Sequence, residues 1–292
     1  MRTRVIGSLL VVVVSLIPLL IGGPVFALFM VVLGASGYRE YLQLVTKANS
    51  TETGLQSQIG FAVVAALGCT ALLDESATWL LFITFLAVAA PLVALISRPT
   101  QPGGVSHLAL ASTGSLYLGL PVYAAVATRS ISGAIDAPWL AETARRFAFG
   151  WDSAPRGLAW ALTVVLAIWI GDSAALLVGR ALGRQKLAPL TSPNKSQEGA
   201  LAGLLASMAV SAGSFQAFGL GDWWIGLIAG AVIGVAGQIG DLAESVLKRQ
   251  AGVKDSGSIV PGHGGILDRI DALLFAFPVG FLMAIGLGRF GA

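Results

Sequence analysis

Long runs without a charged residue constrain this chain more than any other feature of its sequence. Residues 5–38 contain no charged side chain, and similar runs recur along all 292 residues. A helix needs about 20 mainly apolar residues to cross roughly 30 Å of hydrocarbon. Only 11% of the residues are charged, whereas soluble domains carry roughly 25%. The sequence therefore predicts an integral membrane protein.

The charge-free runs predict an all-α fold, a polytopic transmembrane helical bundle of about nine spans. Residues 5–38 are expected to form two spans, because the segment Ile21-Gly22-Gly23-Pro24 interrupts them. An N-terminal signal peptide is the competing interpretation, although its apolar segment has only about 7–15 residues. The other seven spans are predicted at about 58–73, 78–97, 107–128, 157–179, 199–218, 223–240 and 272–288.

The distribution of charge predicts how the protein is oriented in the membrane and which part of the chain is catalytic. Most of the 18 basic residues lie on one side if the N-terminus is inside, as the positive-inside rule requires. Residues 139–149, on the other side, are predicted to form an amphipathic helix at the membrane interface. The net charge of +3 reflects scarce charge rather than a basic patch, which excludes nucleic acid as a partner. Within one integrated membrane domain, we assign residues 1–156 to N-terminal spans and loops and residues 157–292 to the C-terminal catalytic region.

Two polar features precede the strongest cluster. Asp172 lies inside an apolar span, where an ionisable residue is by default a functional candidate. Its alternative role is to cap a helix or to pair with Arg180. Ser192 and Lys195 flank a proline turn before the next predicted helix, whose N-terminal N–H groups favour anions such as phosphate. The positive-inside bias alone also produces basic loops of this kind.

The third polar cluster, residues 240–271, has the layout of a phosphoryl-transfer site. Four polar side chains share one predicted helix face at the membrane edge, namely Asp241, Glu244, Ser245 and Lys248. Asp268 and Asp271 repeat the i, i+3 spacing at the start of the last span. Such carboxylates suit Mg²⁺, which commonly shares its coordination with substrate phosphates. The alternative is a pair of solvated helix ends with salt bridges to Lys248, Arg249 and Arg269.

The linker between these helix ends is rich in glycine. Gly264 and Gly265 would let the backbone approach a nucleotide and present N–H groups to phosphate. His263 could donate a hydrogen bond to phosphate, or it could form a purely structural one.

These residues resemble the signature of the phosphatidate cytidylyltransferases (CDP-diacylglycerol synthases). That signature reads Ser-x-x-Lys-Arg, four residues, Lys-Asp, then Pro-x-His-Gly-Gly-x-x-Asp-Arg-x-Asp, and residues 245–271 fit it at every fixed position. Residues 192–199 are similar to a second family segment, with Ser196 in place of threonine and Gln197 in place of tryptophan. The segment that begins at Asp172 departs from the family's Asp-Thr-x-Ala-Tyr.

The resemblance implies a nucleotidyltransferase of phospholipid biosynthesis that condenses CTP with phosphatidate to give CDP-diacylglycerol and pyrophosphate. It implies Mg²⁺ as a cofactor, with K⁺ beside it, and a homodimer. The protein is expected in the lipid bilayer of a bacterial cytoplasmic (inner) membrane, with the active site facing the cytoplasm.

The same resemblance assigns roles to individual residues. The expected metal ligands are Asp241 and Asp268. The expected catalytic residues are Asp172, Lys248, Asp271 and His263. The expected substrate-binding residues are Ser192, Lys195, Ser245, Arg249, Lys254, Gly264, Gly265 and Arg269.

Two other functions fit the pattern. A secondary transporter of an anionic solute would also use an intramembrane aspartate and basic loops. A CTP-dependent lipid kinase, or a cytidylyltransferase for another polar lipid, would share the aspartate and glycine features.

Overall fold

The computed structural model describes residues 2–49, 55–73, 76–96, 104–149, 151–258 and 264–290, which form ten helices and one β-hairpin. The first five helices are α1 (Arg2–Ile21), α2 (Gly23–Asn49), α3 (Leu55–Thr70), α4 (Ser76–Ile96) and α5 (Gly104–Arg129). The others are α6 (Pro138–Phe147), α7 (Pro155–Leu182), α8 (Gln197–Ala217), α9 (Trp223–Gln250) and α10 (Leu267–Phe290). The hairpin consists of β1 (Lys186–Ala188) and β2 (Ser192–Ser196).

The all-α prediction is confirmed, and each predicted span falls on a helix. Seven described helices are long and apolar enough to cross a membrane, and two shorter apolar segments lie at Val12–Ile21 and Ser57–Thr70. The count of nine spans stays a prediction. The predicted interruption is confirmed at Gly22 and Gly23, which have φ angles of +72° and +49°. This left-handed conformation favours glycine and ends α1.

The chain divides into two compact units that interleave segments of the sequence. Unit 1 contains Met1–Leu16, Pro24–Val126 and Leu247–Ile270, and unit 2 contains Ile17–Gly23, Ala127–Val246 and Asp271–Ala292. The predicted division at residue 156 is between the N-terminal spans and the catalytic region and does not coincide with these compact units. It stays a prediction.

In unit 1, buried aromatic rings hold α2 against its neighbours. Tyr38 and Tyr41 are 0% and 3% exposed, and their hydroxyls donate to the carbonyl oxygens of Ala111 (3.4 Å) and Leu110 (3.2 Å) on α5. A Cβ at position 114 would overlap the Tyr41 ring, so glycine is required there. These contacts fix the part of α2 that lies between the two tyrosines.

In unit 2, small residues bring α7, α8 and α9 close together. Ser207 on α8 donates to the carbonyl oxygen of Ala167 on α7 at 2.8 Å. A Cβ at Gly171 or Gly230 would collide with Ser207 or its backbone. Small residues at helix contacts are typical of membrane bundles, where backbones approach closely.

A buried arginine at the C-terminus of α5 binds the last turn of α1 in unit 2. Arg129 is 1% exposed, and its guanidinium donates to the carbonyl oxygens of Leu19 (2.7 Å) and Leu20 (3.1 Å). It also donates to the carbonyl oxygen of Ser153 at 3.2 Å. Carbonyls in the last turn of a helix lack intrahelical partners, and Arg129 satisfies two of them.

The amphipathic segment predicted at residues 139–149 is confirmed as a helix, α6. Leu140 and Ala144 are buried on one face. On the other, Glu142 accepts hydrogen bonds from Arg145 (2.6 Å) and Arg146 (2.9 Å). The hydrogen bond from Arg146, aided by the charge of Arg145, holds the pKa of Glu142 below its ordinary value.

Candidate active site

One candidate cluster, in unit 2, begins with the β-hairpin, which the sequence did not predict. β1 and β2 pair antiparallel, with Lys186 opposite Ser196. Ser196 is also the N-cap of α8, because its hydroxyl accepts from the Gly199 N–H at 3.1 Å. The hydroxyl that replaces the family's threonine therefore starts the helix. The hairpin places Lys195 one residue before this cap.

Lys195 forms an ion pair with Asp241 of α9. Both side chains are about one third exposed, at 28% and 31%. Asp172 of α7 interacts electrostatically with the same two groups. The structure thus gathers two carboxylates and one ammonium from three segments that the sequence had singled out separately. The suggested pairing of Asp172 with Arg180 stays a prediction.

Asp172 also lines a small cavity of about 20 Å³ in unit 2. Ser207 and Gln238 contribute polar atoms to the lining, and Gly171 and Gly203 leave the space open. The Gln238 amide donates to the carbonyl oxygen of Ala200 at 2.8 Å, which orients its oxygen. A cavity of this size holds about one water molecule or small ion.

The donor set of unit 2 fits a divalent cation. Asp172 and Asp241 repel each other, and Mg²⁺ binds through one or two carboxylates together with water and phosphate oxygens. Among the residues that the structure describes, no group of three or more His, Cys, Asp or Glu side chains is placed to hold a metal. Any ion at this pair would therefore take its remaining ligands from water or substrate.

A second candidate cluster, described by itself in unit 1, is centred on Asp268 at the start of α10. Lys248 Nζ donates to its Oδ1 at 2.6 Å, and both side chains are mostly buried, at 11% and 9% exposed. The N–H groups of Gly265 (2.8 Å) and Ser256 (2.9 Å) donate to Oδ2. The Ser256 hydroxyl lies 3.0 Å from the same oxygen. Residues 248, 256 and 265 of the signature region therefore converge on one carboxylate, that of Asp268.

This arrangement limits how Asp268 could bind a metal. Oδ2 accepts two backbone hydrogen bonds and lies 3.0 Å from the Ser256 hydroxyl, whereas Oδ1 accepts one hydrogen bond from Lys248. Oδ1 is therefore the atom that fits a cation. The Gly265 N–H is occupied by Asp268, so it is not free to bind phosphate in this arrangement.

Glu40 of α2 is a site residue that the sequence analysis missed. It is 2% exposed and accepts hydrogen bonds from the N–H groups of Ile266 (3.0 Å) and Leu267 (2.8 Å) and from the Ser256 hydroxyl (2.8 Å). The signal in the sequence was an acidic residue inside a long apolar helix. Its partners, however, lie more than 200 positions away along the chain.

The other predicted site residues differ in burial and in their contacts. Ser245 is buried in α9, and Arg249, Lys254 and Arg269 are exposed. Gly264 has a φ of +83°, which favours glycine. Asp271 Oδ1 accepts a hydrogen bond from the adjacent Ala272 N–H at 2.7 Å. Ser192 is half-buried in β2. His263 lies outside the described residues.

Comparison with known proteins identifies the family of this chain. A family model described as the cytidylyltransferase family matches residues 2–285. The chain belongs to this family. The family resemblance found in the sequence is thereby confirmed, and it extends across the N-terminal half, where hydropathy alone had suggested it.

Several relatives of the family are phosphatidate cytidylyltransferases. The one from Brucella suis is 33% identical over 279 residues, which is 94% of this chain and 90% of the relative. Those from Staphylococcus saprophyticus and Staphylococcus aureus are 42% and 43% identical over 135 residues, 46% of this chain. The match covers about half the length of these staphylococcal relatives, 52% in each case.

Proposed function

We propose that this chain is a phosphatidate cytidylyltransferase, a nucleotidyltransferase that forms CDP-diacylglycerol and pyrophosphate from CTP and phosphatidate. The observation that carries the proposal is the convergence of the signature region on the Asp268 carboxylate. The match to the Brucella suis enzyme over 94% of the chain supports the same activity.

In the proposed reaction, a phosphate oxygen of phosphatidate attacks the α-phosphorus of CTP. A new P–O bond forms there, the bond from the α-phosphorus to the bridging oxygen breaks, and pyrophosphate leaves with that oxygen. Phosphoryl transfer of this kind needs positioning and charge neutralisation rather than a covalent enzyme intermediate.

In unit 2, the proposed roles follow from the charges. Asp172 and Asp241 would hold Mg²⁺, which when bound neutralises charge on triphosphate oxygens. Lys195 now pairs with Asp241 and would donate to a phosphate oxygen of the nucleotide as a compact point charge. Ser192, on the same hairpin, would contribute a hydrogen bond.

In unit 1, Lys248 is the proposed phosphate ligand and Asp268 holds it in place. The ion pair fixes the ammonium at 2.6 Å from Oδ1, and its compact positive charge would attract a phosphate group of the substrate. Asp268 Oδ1 is the atom that would also serve as the predicted metal ligand. Roles in substrate binding are proposed for Ser245, Arg249, Lys254, Gly264 and Arg269, and catalytic roles for His263 and Asp271. Gly265, expected to bind substrate, would instead hold Asp268 through its N–H.

The cellular setting is part of the proposal. The apolar helices fit a membrane protein, and the relatives are bacterial. We place the protein in the cytoplasmic membrane with its N-terminus and site facing the cytoplasm, because most basic loops then lie inside. A homodimer and a K⁺ ion beside Mg²⁺ are proposed from the family resemblance alone.

The alternative functions predict different products. A CTP-dependent lipid kinase would transfer the γ-phosphate and leave CDP, and a transporter would consume no nucleotide. The test is to supply CTP labelled either at the α- or at the γ-phosphorus and to extract the lipid. The proposal predicts α-label in the lipid and γ-label in pyrophosphate; γ-label in the lipid would establish a kinase instead. Neither family membership nor the relatives' names favour a transporter.

A further inference from the structure

A deeply buried carboxylate that contacts the signature region belongs to a helix far from it in sequence. Glu40, in α2, is 2% exposed. We propose that Glu40 is a positioning residue that fixes the start of α10 and thereby the Asp268–Lys248 pair. This inference rests on the proposed function for its effect on catalysis, while its effect on the loop can be measured independently.

Glu40 binds the end of α10 through both carboxylate oxygens. Oε1 accepts from the Ile266 N–H at 3.0 Å, and Oε2 accepts from the Leu267 N–H at 2.8 Å. The first N–H groups of a helix have no intrahelical partner, and negative charge is favourable at a helix N-terminus. Glu40 therefore supplies from a distant segment the cap that an adjacent side chain often provides.

A second set of contacts links Glu40 to Asp268. The Ser256 hydroxyl lies 2.8 Å from Glu40 Oε2 and 3.0 Å from Asp268 Oδ2. One hydroxyl has one proton, so the two carboxylates share this donor. The Ser256 N–H donates to Asp268 as well, at 2.9 Å. A shift of Glu40 would be transmitted to Asp268, and then to Lys248, through this serine.

Two glycines in the loop are shaped around the Glu40 carboxyl. A Cβ at Gly257 or at Gly265 would overlap the carboxylate oxygens of Glu40. At Gly265 it would also overlap the Ser256 hydroxyl. Both positions therefore need glycine, because the backbone approaches Glu40 closely. This steric requirement is a second observation, separate from the hydrogen bonds.

Glu40 is itself held rigidly. The rings of Tyr38 and Tyr41, which flank it in α2, are buried and stacked with a centroid distance of 6.3 Å. Their hydroxyls donate to α5. The Glu40 carboxylate lies on a constrained turn of helix, so it loses little conformational freedom when it binds the glycine-rich loop. It can therefore define the position of that loop.

The test compares Glu40→Gln with Glu142→Gln, the same change on the exposed face of α6. The glutamine keeps the shape but presents one N–H₂ group to backbone donors. We expect kcat to fall by about 10- to 100-fold, as follows when buried donors lose a charged partner, with a smaller change in the KM for CTP. Exchange of the backbone amide hydrogens should become faster at Ile266 and Leu267. It should remain unchanged in the C-terminal part of α10.

The outcomes separate the two proposals. If the unmodified protein releases no pyrophosphate, the proposed function is wrong, while faster exchange in Glu40→Gln would still support the positioning of the loop. Unchanged exchange and kcat in a folded Glu40→Gln would overturn the inference. If Glu40→Gln does not fold, Ser256→Ala has the same readouts, with the same two results deciding. Glu40→Asp, which keeps the charge, should recover part of the lost kcat, whereas a purely bulk-packing role predicts no such recovery.

Discussion

At the scale of single residues, the cluster around Asp268 depends on two charges that are mostly shielded from water. The Lys248–Asp268 pair is about one tenth exposed. Breaking a buried ion pair by removing one partner costs about 3–5 kcal/mol, because the other charge stays behind. Each member of the pair therefore constrains the other, and substitutions should report both on function and on the order of the loop.

Lys248→Ala should raise the KM for CTP by about tenfold or more, since a charge-assisted hydrogen bond to phosphate contributes roughly 1.5–3 kcal/mol. The measurement is the initial rate over a range of CTP concentrations. Lys47→Ala, which removes an exposed lysine of α2, is the matched control. An unchanged CTP dependence in a folded Lys248→Ala protein would restrict Lys248 to a structural role.

Asp241→Asn should raise the Mg²⁺ concentration needed for half-maximal activity by at least about tenfold, because one of two carboxylates near the proposed ion becomes neutral. The activity is measured in a Mg²⁺ titration at saturating CTP. Asp222→Asn is the control, because Asp222 is exposed and its carboxylate accepts a hydrogen bond from the neighbouring Trp224 indole at 3.3 Å. Equal Mg²⁺ requirements for the wild type and Asp241→Asn would remove Asp241 from the ion's ligands.

At the scale of elements, the helices could be predicted from the sequence because charge-free length is a strong signal in a membrane protein. The break at Gly22 and the continuation of α9 past Gly240 were predicted for the same kind of reason. The hairpin was not, because strands of three and five residues leave no alternating pattern.

The candidate site was predictable only in part. Signature residues such as Lys248 and Asp268 were found because they lie close together in sequence. The roles of Glu40 and Arg129 depend on hydrogen bonds to partners 216 and 110 positions away, respectively. No local pattern encodes such contacts, since hydropathy and spacing describe neighbours along one element.

Gly265→Ala should reduce kcat by about tenfold or more, because the new methyl group would displace Glu40 or Ser256. Gly286→Ala, in the same helix that Gly265 precedes, is the control, since a Cβ there meets nothing within 4 Å. Both variants are compared by kcat and by thermal stability in detergent. Equal kcat values for the two would show that the loop tolerates a side chain beside Glu40.

At the scale of the whole molecule, a mean hydropathy of +0.81 and seven helices of spanning length leave basic residues as the main determinant of orientation. The exposed large apolar residues of α4 and α7, such as Leu81 (72%) and Leu177 (68%), have the exposure expected of side chains that face lipid rather than water.

The proposed orientation predicts the labelling of single cysteines. In a Cys69→Ser background, Lys186→Cys should react with a membrane-impermeant maleimide only in inverted vesicles, and Arg145→Cys only in intact spheroplasts. Lys186 lies in the hairpin and Arg145 in α6, so the pair samples both proposed sides. Labelling with the opposite sidedness would place the candidate site outside the cytoplasm.

The central claim is tested most directly by pyrophosphate release from the detergent-purified protein, with CTP, phosphatidate and Mg²⁺ each omitted in turn. Asp268→Asn is assayed alongside, because it keeps the shape of a carboxylate that accepts hydrogen bonds from Lys248 and two backbone N–H groups but removes its charge. We predict release that requires all three components and falls at least about 100-fold in the folded variant, as expected when a charged hydrogen-bonding centre is lost. Release independent of phosphatidate, or none from the folded wild type, would contradict the proposed function; wild-type rates in Asp268→Asn would contradict the assignment of the site.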